Sequence, residues 1–247
     1  MFKYLVITVV LVTVPVSWAM TGGPLFTVSP QANSMAIEGT RTQMEIASPS
    51  SAEHVTALSE RLGLTGRYGL IPGVDMSATL GTATLDFNQL GSGYSDFHAP
   101  WSIAWGTSVR AGYPLVPKTY QVVASVAYWG FQPKGSTSNG VKDINSKYLW
   151  HEVTPSIVAG VRLATVVPYV GFAKPVLLGR RQVTVDFQGA PFPAAGGNDT
   201  YRDGKQPLRG LAGFEWRLPQ GYSIGVEGAT SSGGDWTVTI NVAQMLK

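Results

Sequence analysis

The chain contains no cysteine, so disulfide frameworks, thiolate zinc sites and thiol nucleophiles are excluded, and the fold must be held by its own ladder hydrogen bonds and packing. Charge is scarce as well. Asp, Glu, Lys and Arg make up 13% of the 247 residues, against about 25% in an ordinary soluble domain. The net charge of +3 is spread along the chain with no basic run interleaved with aromatics, which sets nucleic acid aside as a partner. Past the first twenty residues, no stretch approaches the roughly 20 apolar residues of a membrane helix. No motif calls for a metal or a cofactor.

Apolar and turn-forming residues fill the space these absences leave. Hydrophobic residues reach 44% and aromatics 11%, alongside 29 Gly and 16 Pro. Such a chain carries more apolar surface than one core needs. The amino terminus reads as a targeting segment, with Lys3 as the positive n-region, an apolar stretch over residues 5–16 broken by Pro15, and Ser17-Trp18-Ala19 as a small-x-small cleavage site. We expect residues 1–19 to be removed, residues 20–33 to form a flexible periplasmic lead-in, and residues 34–247 to fold as one domain.

Within that domain hydrophobicity repeats every two residues. Residues 101–113 place Trp101, Ile103, Trp105, Val109, Ala111 and Tyr113 on one face and Ser102, Ala104, Gly106, Ser108, Arg110 and Gly112 on the other; this is the period of a strand. Residues 208–218 divide likewise. About ten strands are expected, at 34–47, a segment ending over 63–70, 74–87, 101–113, 120–132, 148–164, 167–185, 208–218, 222–229 and 236–246, with eight or twelve as alternative counts. Residues 51–62 also fit a short amphipathic helix through Val55, Leu58 and Leu62. Pro155 and Pro175 fall inside strands, where each removes a ladder donor and implies a bulge or a strand running beyond the membrane.

Connections alternate strictly. Pro72-Gly73, residues 114–118, Thr165-Val166 and residues 219–221 are tight, while the links near residues 50, 95, 140, 197 and 232 are longer and polar. Short turns on one side and long loops on the other describe an all-β, closed, antiparallel up-and-down transmembrane barrel with both ends of the domain on the periplasmic side. A soluble barrel such as a lipocalin would instead turn its apolar face inward. Aromatics at strand ends, namely Trp101, Tyr113, Tyr120, Tyr148, Trp216, Tyr222 and Trp236, favour the membrane reading because amphipathic rings suit the headgroup level.

On that reading the polar faces line the lumen and carry Arg61, Arg67, Asp75, Arg110, Glu152, Arg162, Arg209, Glu215, Arg217 and Glu227. A barrel of this size is narrow enough for opposed charges to fill it, since desolvated Arg and Glu are tolerated when paired. The excess of Arg in this set also fits a narrow, weakly anion-preferring pore. Of the three histidines, His151 shares a face with Leu149, Val153 and Ile157 near a rim. His98 lies in one loop with Ser95 and Asp96, residues too close together in sequence for a relay that draws its parts from separate strands. Asn198-Asp199-Thr200 matches a glycosylation pattern by chance in an exported bacterial chain.

In its export segment, strand alternation, aromatic strand ends and turn order, residues 34–246 resemble the small outer-membrane β-barrel proteins of diderm bacteria, of the OmpA-type and opacity-like kind. Members of that class commonly end in an aromatic residue, whereas this chain ends Gln244-Met245-Leu246-Lys247. The resemblance implies residence in outer-membrane lipid as a monomer.

 The external loops are then the contact surface for small solutes or a surface partner. A structural or surface-interaction role follows, with a narrow passive porin, a barrel-embedded hydrolase and a lipocalin-like binding barrel as the alternatives.

Overall fold

The computed structural model describes residues 27–47, 54–87, 96–116, 119–138, 142–187, 195–202 and 207–246; the export segment, Ser95 and the other residues expected in loops there lie outside these. Thirteen strands form one sheet: β1 (Asn33–Ala47), β2 (His54–Ile71), β3 (Val74–Phe87), β4 (Phe97–Val116), β5 (Tyr120–Phe131), β6 (Lys134–Ser138), β7 (Lys142–Val161), β8 (Val166–Ala173), β9 (Val176–Phe187), β10 (Ala195–Arg202), β11 (Arg209–Arg217), β12 (Tyr222–Thr230) and β13 (Trp236–Leu246). Pairing runs β1-β2-β3-β4-β5-β7-β8-β11-β12-β13, and β13 pairs back to β1 from Asn33↔Leu246 to Gln43↔Trp236. Every pairing is antiparallel and the ring closes, which leaves no open edge around the ten-position wall.

β8 and β9 occupy one wall position. Both pair with β7 in a single register, Ser156↔Ala173 below and Val153↔Val176 above, and the Lys174 amide donates to the Pro155 carbonyl at 3.0 Å across the interruption. Of the two outcomes expected at Pro155 and Pro175, a bulge or a strand running beyond the membrane, the ladder shows no bulge: β8 breaks from β9 there without a shift of register, and β7 runs on for 20 residues. β6 and β10 stand outside the ring. They correct the expectation of loops over residues 133–147 and 188–207, because both segments carry strand that raises the external sheet. Residues 54–62 are likewise strand, not helix. Leu62 and Leu64 face outward while Ala57, Ser59 and Arg61 are buried, a period of two that the helical spacing of Val55, Leu58 and Leu62 concealed.

The tight turns and both described ends gather at one end of the barrel. Gly73 there has φ of 80°, a left-handed value that costs glycine little and most other residues more. The lead-in does not hang free where it is described. Residues 27–32 are seated at this mouth, with the Val28 amide donating to Asp75 Oδ2 at 2.8 Å, Gln31 N to Gly69 O at 2.9 Å and Gly69 N to Ala32 O at 3.1 Å. Gly69 makes the room: a Cβ at that position would lie 2.0 Å from the Ser29 carbonyl oxygen. Gly69→Ala is expected to lift this segment. In the cysteine-free chain a single Val28→Cys reporter, buried with Gly69 present, should then react several-fold faster with maleimide, and an unchanged rate would count against the seating.

Outward positions form the apolar band. Ile103 is 75% exposed and Tyr113 71%, while Arg110 on the opposite face is 2% exposed. From Trp101 to Tyr113 the strand covers about 40 Å, or roughly 30 Å along the membrane normal at the usual tilt, the thickness of a hydrocarbon core. Above this band the inward face turns apolar. Met44, Leu85, Phe87, Phe97, Ala99, Phe131, Tyr148, Trp150 and Leu177 pack together. Phe97 and Ala99 point inward because the register shifts between Ala83 and Leu85, so that Pro100 and Trp101 together oppose the single residue Thr84. That bulge reverses the strand's phase.

Candidate functional site

The barrel interior brings charge together in pairs. Arg110 Nε and Nη2 reach Asp75 Oδ1 and Oδ2 at 2.8 and 2.5 Å, a two-bond fork on a carboxylate with no exposure. Arg67 Nη2 donates to Glu38 Oε1 at 2.7 Å, and Arg61 Nη2 to Glu152 Oε2 at 2.5 Å. Arg209 lies 3.5 Å from Asp235 and donates to the hydroxyls of Thr237 and Thr42 at 2.9 and 3.4 Å. Arg217 Nε meets Glu215 Oε1 at 3.2 Å, and the Tyr169 hydroxyl donates to Glu227 Oε2 at 3.1 Å. Hydroxyl pairs fill the rungs between, Ser77 with Ser108 at 2.8 Å and Ser125 with Ser156 at 2.6 Å.

Strand alternation explains the placement. The strand charges occupy positions whose sequence neighbours point outward, as Arg110 sits between the exposed Val109 and Ala111. Of the ten charged residues named from sequence, Arg162 and Arg217 are half-buried at the periplasmic mouth, where with Arg67, Glu215 and Tyr222 they border a cavity of about 390 Å³. The other eight lie inside the wall. Glu38 and Asp235 were missed. Glu38 was findable, because Met35 and Ile37 on the outward phase of β1 put Glu38 inward; Asp235 falls in a turn, where no periodicity signals a side chain's direction. Counting both, the six guanidiniums, two of them at the mouth, are matched by six carboxylates. The excess of Arg disappears.

Above the charges the aromatic cluster caps the lumen. Phe97 lies 5.6 Å from Phe87 and 5.1 Å from Tyr148, ring centre to ring centre, within the 4.5–7 Å range of favourable aromatic pairs. Arg61 joins the two layers, its guanidinium 5.8 Å from the Trp129 ring and 5.9 Å from Phe131.

Tyr148 corrects an expectation: it is 3% exposed and belongs to this cap, not to the membrane interface. Its phase on β7 is that of Glu152, and alternation overrides its place near a strand end. Trp101, Tyr113, Tyr120 and Trp216 are exposed on the outward face. Tyr222 is half-buried beside the mouth cavity, and Trp236 is half-buried with Arg41 6.0 Å from its ring. His151 faces outward and bonds the Tyr128 hydroxyl through Nδ1, with the Trp105 ring tilted against Tyr128, centroids 4.8 Å apart. His98 is exposed and pairs with Asp86 through Nδ1. Among the described residues no group of three or more His, Asp or Glu is disposed to hold a metal ion.

No family model matches the chain, and no curated protein matches it. Solved structures do. The translocator domain of the autotransporter NalP from Neisseria meningitidis superimposes with a TM-score of 0.54 at 10% identity, over 87% of this chain and 89% of that one. The outer-membrane protease OmpT from Escherichia coli gives 0.45 at 10% identity over 90% and 98%. The β domain of the Bordetella autotransporter BrkA gives 0.38 at 11% identity over 87% and 99%. The fold is that of the outer-membrane β-barrels.

Proposed function

We propose that the protein is a closed outer-membrane barrel that serves the cell surface structurally, or through contacts made by its external sheet. The observation that carries this reading is the balanced interior: six guanidiniums, two of them at the periplasmic mouth, against six carboxylates, paired between neighbouring strands and, at Arg61–Glu152, across the lumen from β2 to β7, beneath an aromatic cap. A solute crossing the barrel would have to part the Arg61–Glu152 pair that spans the lumen from β2 to β7, and breaking a buried pair is expensive because it strands an uncompensated charge. At the other mouth residues 27–32 add a third obstacle. Above the membrane the strands β6, β7, β9 and β10 give the external face a folded scaffold on which a partner can dock.

The purified mature chain, refolded into planar bilayers, should show no discrete conductance steps while migrating on gels as a heat-modifiable barrel. Steps that change when Arg110 becomes Glu would overturn the closed reading. The porin alternative rested on an inward excess of Arg, and Glu38 and Asp235 remove that support.

A further inference from the structure

Outside the lumen, three side chains that carry chemistry stand on three adjacent strands at one rung. Asp86 of β3 is the ladder partner of His98 of β4, and His98 is in turn the ladder partner of Ser136 of β6. Directly opposed residues of an antiparallel pair share a sheet face, with Cβ atoms roughly 4.5–5.5 Å apart. All three side chains therefore stand in a row on the outward face. The next partner along, Asn145 of β7, extends it. His98, Ser136 and Asn145 are exposed and Asp86 is half-buried.

Order within the row is what matters chemically. Asp86 Oδ1 sits against Nδ1 of His98; an imidazole that carries its proton on Nδ1, beside that carboxylate, has Nε2 as its proton acceptor. The strand on the other side of His98 presents a serine. Gly135 permits this approach, since a Cβ there would lie 2.5 Å from the His98 carbonyl oxygen and 2.8 Å from the Phe97 ring. Along β4, Trp101 marks the outer edge of the apolar band, and His98 lies about 10 Å further out along the strand. That depth is where the ester linkages of outer-leaflet amphiphiles meet water.

We infer that Ser136, His98 and Asp86 form a hydrolytic site that cleaves carboxylic esters of amphiphiles in the outer leaflet. Ser136 Oγ attacks the ester carbonyl as its proton passes to His98 Nε2, with the Asn145 amide placed to donate to the developing oxyanion. The C–O bond to the alcohol then breaks, and the alcohol leaves with the proton from Nε2. Water attacks the acyl–Ser136 ester, gives its proton to Nε2, and the C–Oγ bond breaks to release the acid and restore the serine hydroxyl. Ester and water become acid and alcohol, with no other reactant. Asp86 is a positioning residue that fixes the His98 tautomer. The inference rests on the reading that the external sheet faces the outer leaflet.

The refolded mature barrel should be labelled one-to-one by a fluorophosphonate probe and should hydrolyse p-nitrophenyl butyrate and the esters of dipalmitoyl phosphatidylcholine vesicles. Ser136→Ala should abolish labelling, and His98→Gln should slow hydrolysis at least hundredfold, both with heat-modifiable migration retained. Asp86→Asn should lower kcat at unchanged KM, with partial rescue by Asp86→Glu. A wild-type barrel that neither labels nor hydrolyses either ester, or labelling that survives Ser136→Ala, would overturn the site; activity on the soluble ester alone would overturn its assignment to lipid. Maleimide labelling of Ser136→Cys on intact cells reads the sidedness of the sheet independently, so failure of the orientation and failure of the chemistry are distinguishable.

Discussion

Arg110→Ala is expected to destabilise the barrel by about 3–5 kcal/mol, the cost of leaving one member of a buried ion pair without its partner. Asp75 is fully buried, and both its oxygens accept from Arg110 while Oδ2 also accepts from the Val28 amide. Removing the guanidinium leaves a carboxylate whose remaining donor is one backbone N–H. The urea midpoint of the refolded barrel should fall accordingly. Two further variants separate the pair's intrinsic worth from this penalty. Arg110→Met combined with Asp75→Leu removes both charges, and should recover most of the loss because two apolar residues of similar volume leave no charge unpaired. Equal destabilisation by the single and double variants would mean that the pair itself, not the stranded charge, stabilises the fold. The Val28 amide also loses its acceptor in the double variant, so the lead-in should come loose even where the barrel holds.

How far the sequence discloses this molecule depends on whether a feature repeats. Wall strands were legible because every one of them must alternate between lipid and lumen, and ten such segments separated by short and long links admit few other arrangements. The inward charges of β2, β4 and β11 were legible for the same reason. Tyr148 shows where a second cue misled: its position near a strand end suggested the interface, although its phase with Glu152 pointed inward. The external sheet was hidden for a different reason. Lys134–Ser138 and Ala195–Arg202 are rich in Gly, Ser, Thr and Asn, residues that read as loop, and they become strand because β7 and β9 offer them a template. The row of Asp86, His98 and Ser136 followed from that, since a pairing between β4 and β6 cannot be read from either strand alone.

Phe97→Ala should cost about 3–5 kcal/mol, the range for truncating a fully buried aromatic side chain, and the reason lies in where the ring points. Phe97 is fully buried between Phe87 and Tyr148, enclosed on all sides by strands whose backbones are fixed by their ladders. Those walls cannot collapse into the space the ring leaves, so the cavity term adds to the lost transfer energy. Ile103, a few residues along the same strand, is 75% exposed on the outward face, and Ile103→Ala should cost much less because lipid refills the gap. Comparing the two by urea unfolding in vesicles tests the bulge at Pro100 and Trp101 directly. If β4 ran through without the phase reversal, Phe97 would point outward and both truncations would be cheap. A double-mutant cycle between Phe97 and Tyr148 gives a second measure. The expected coupling is about 0.5–1.5 kcal/mol for an edge-on aromatic pair, and a coupling near zero would mean that the cap is not packed as a unit.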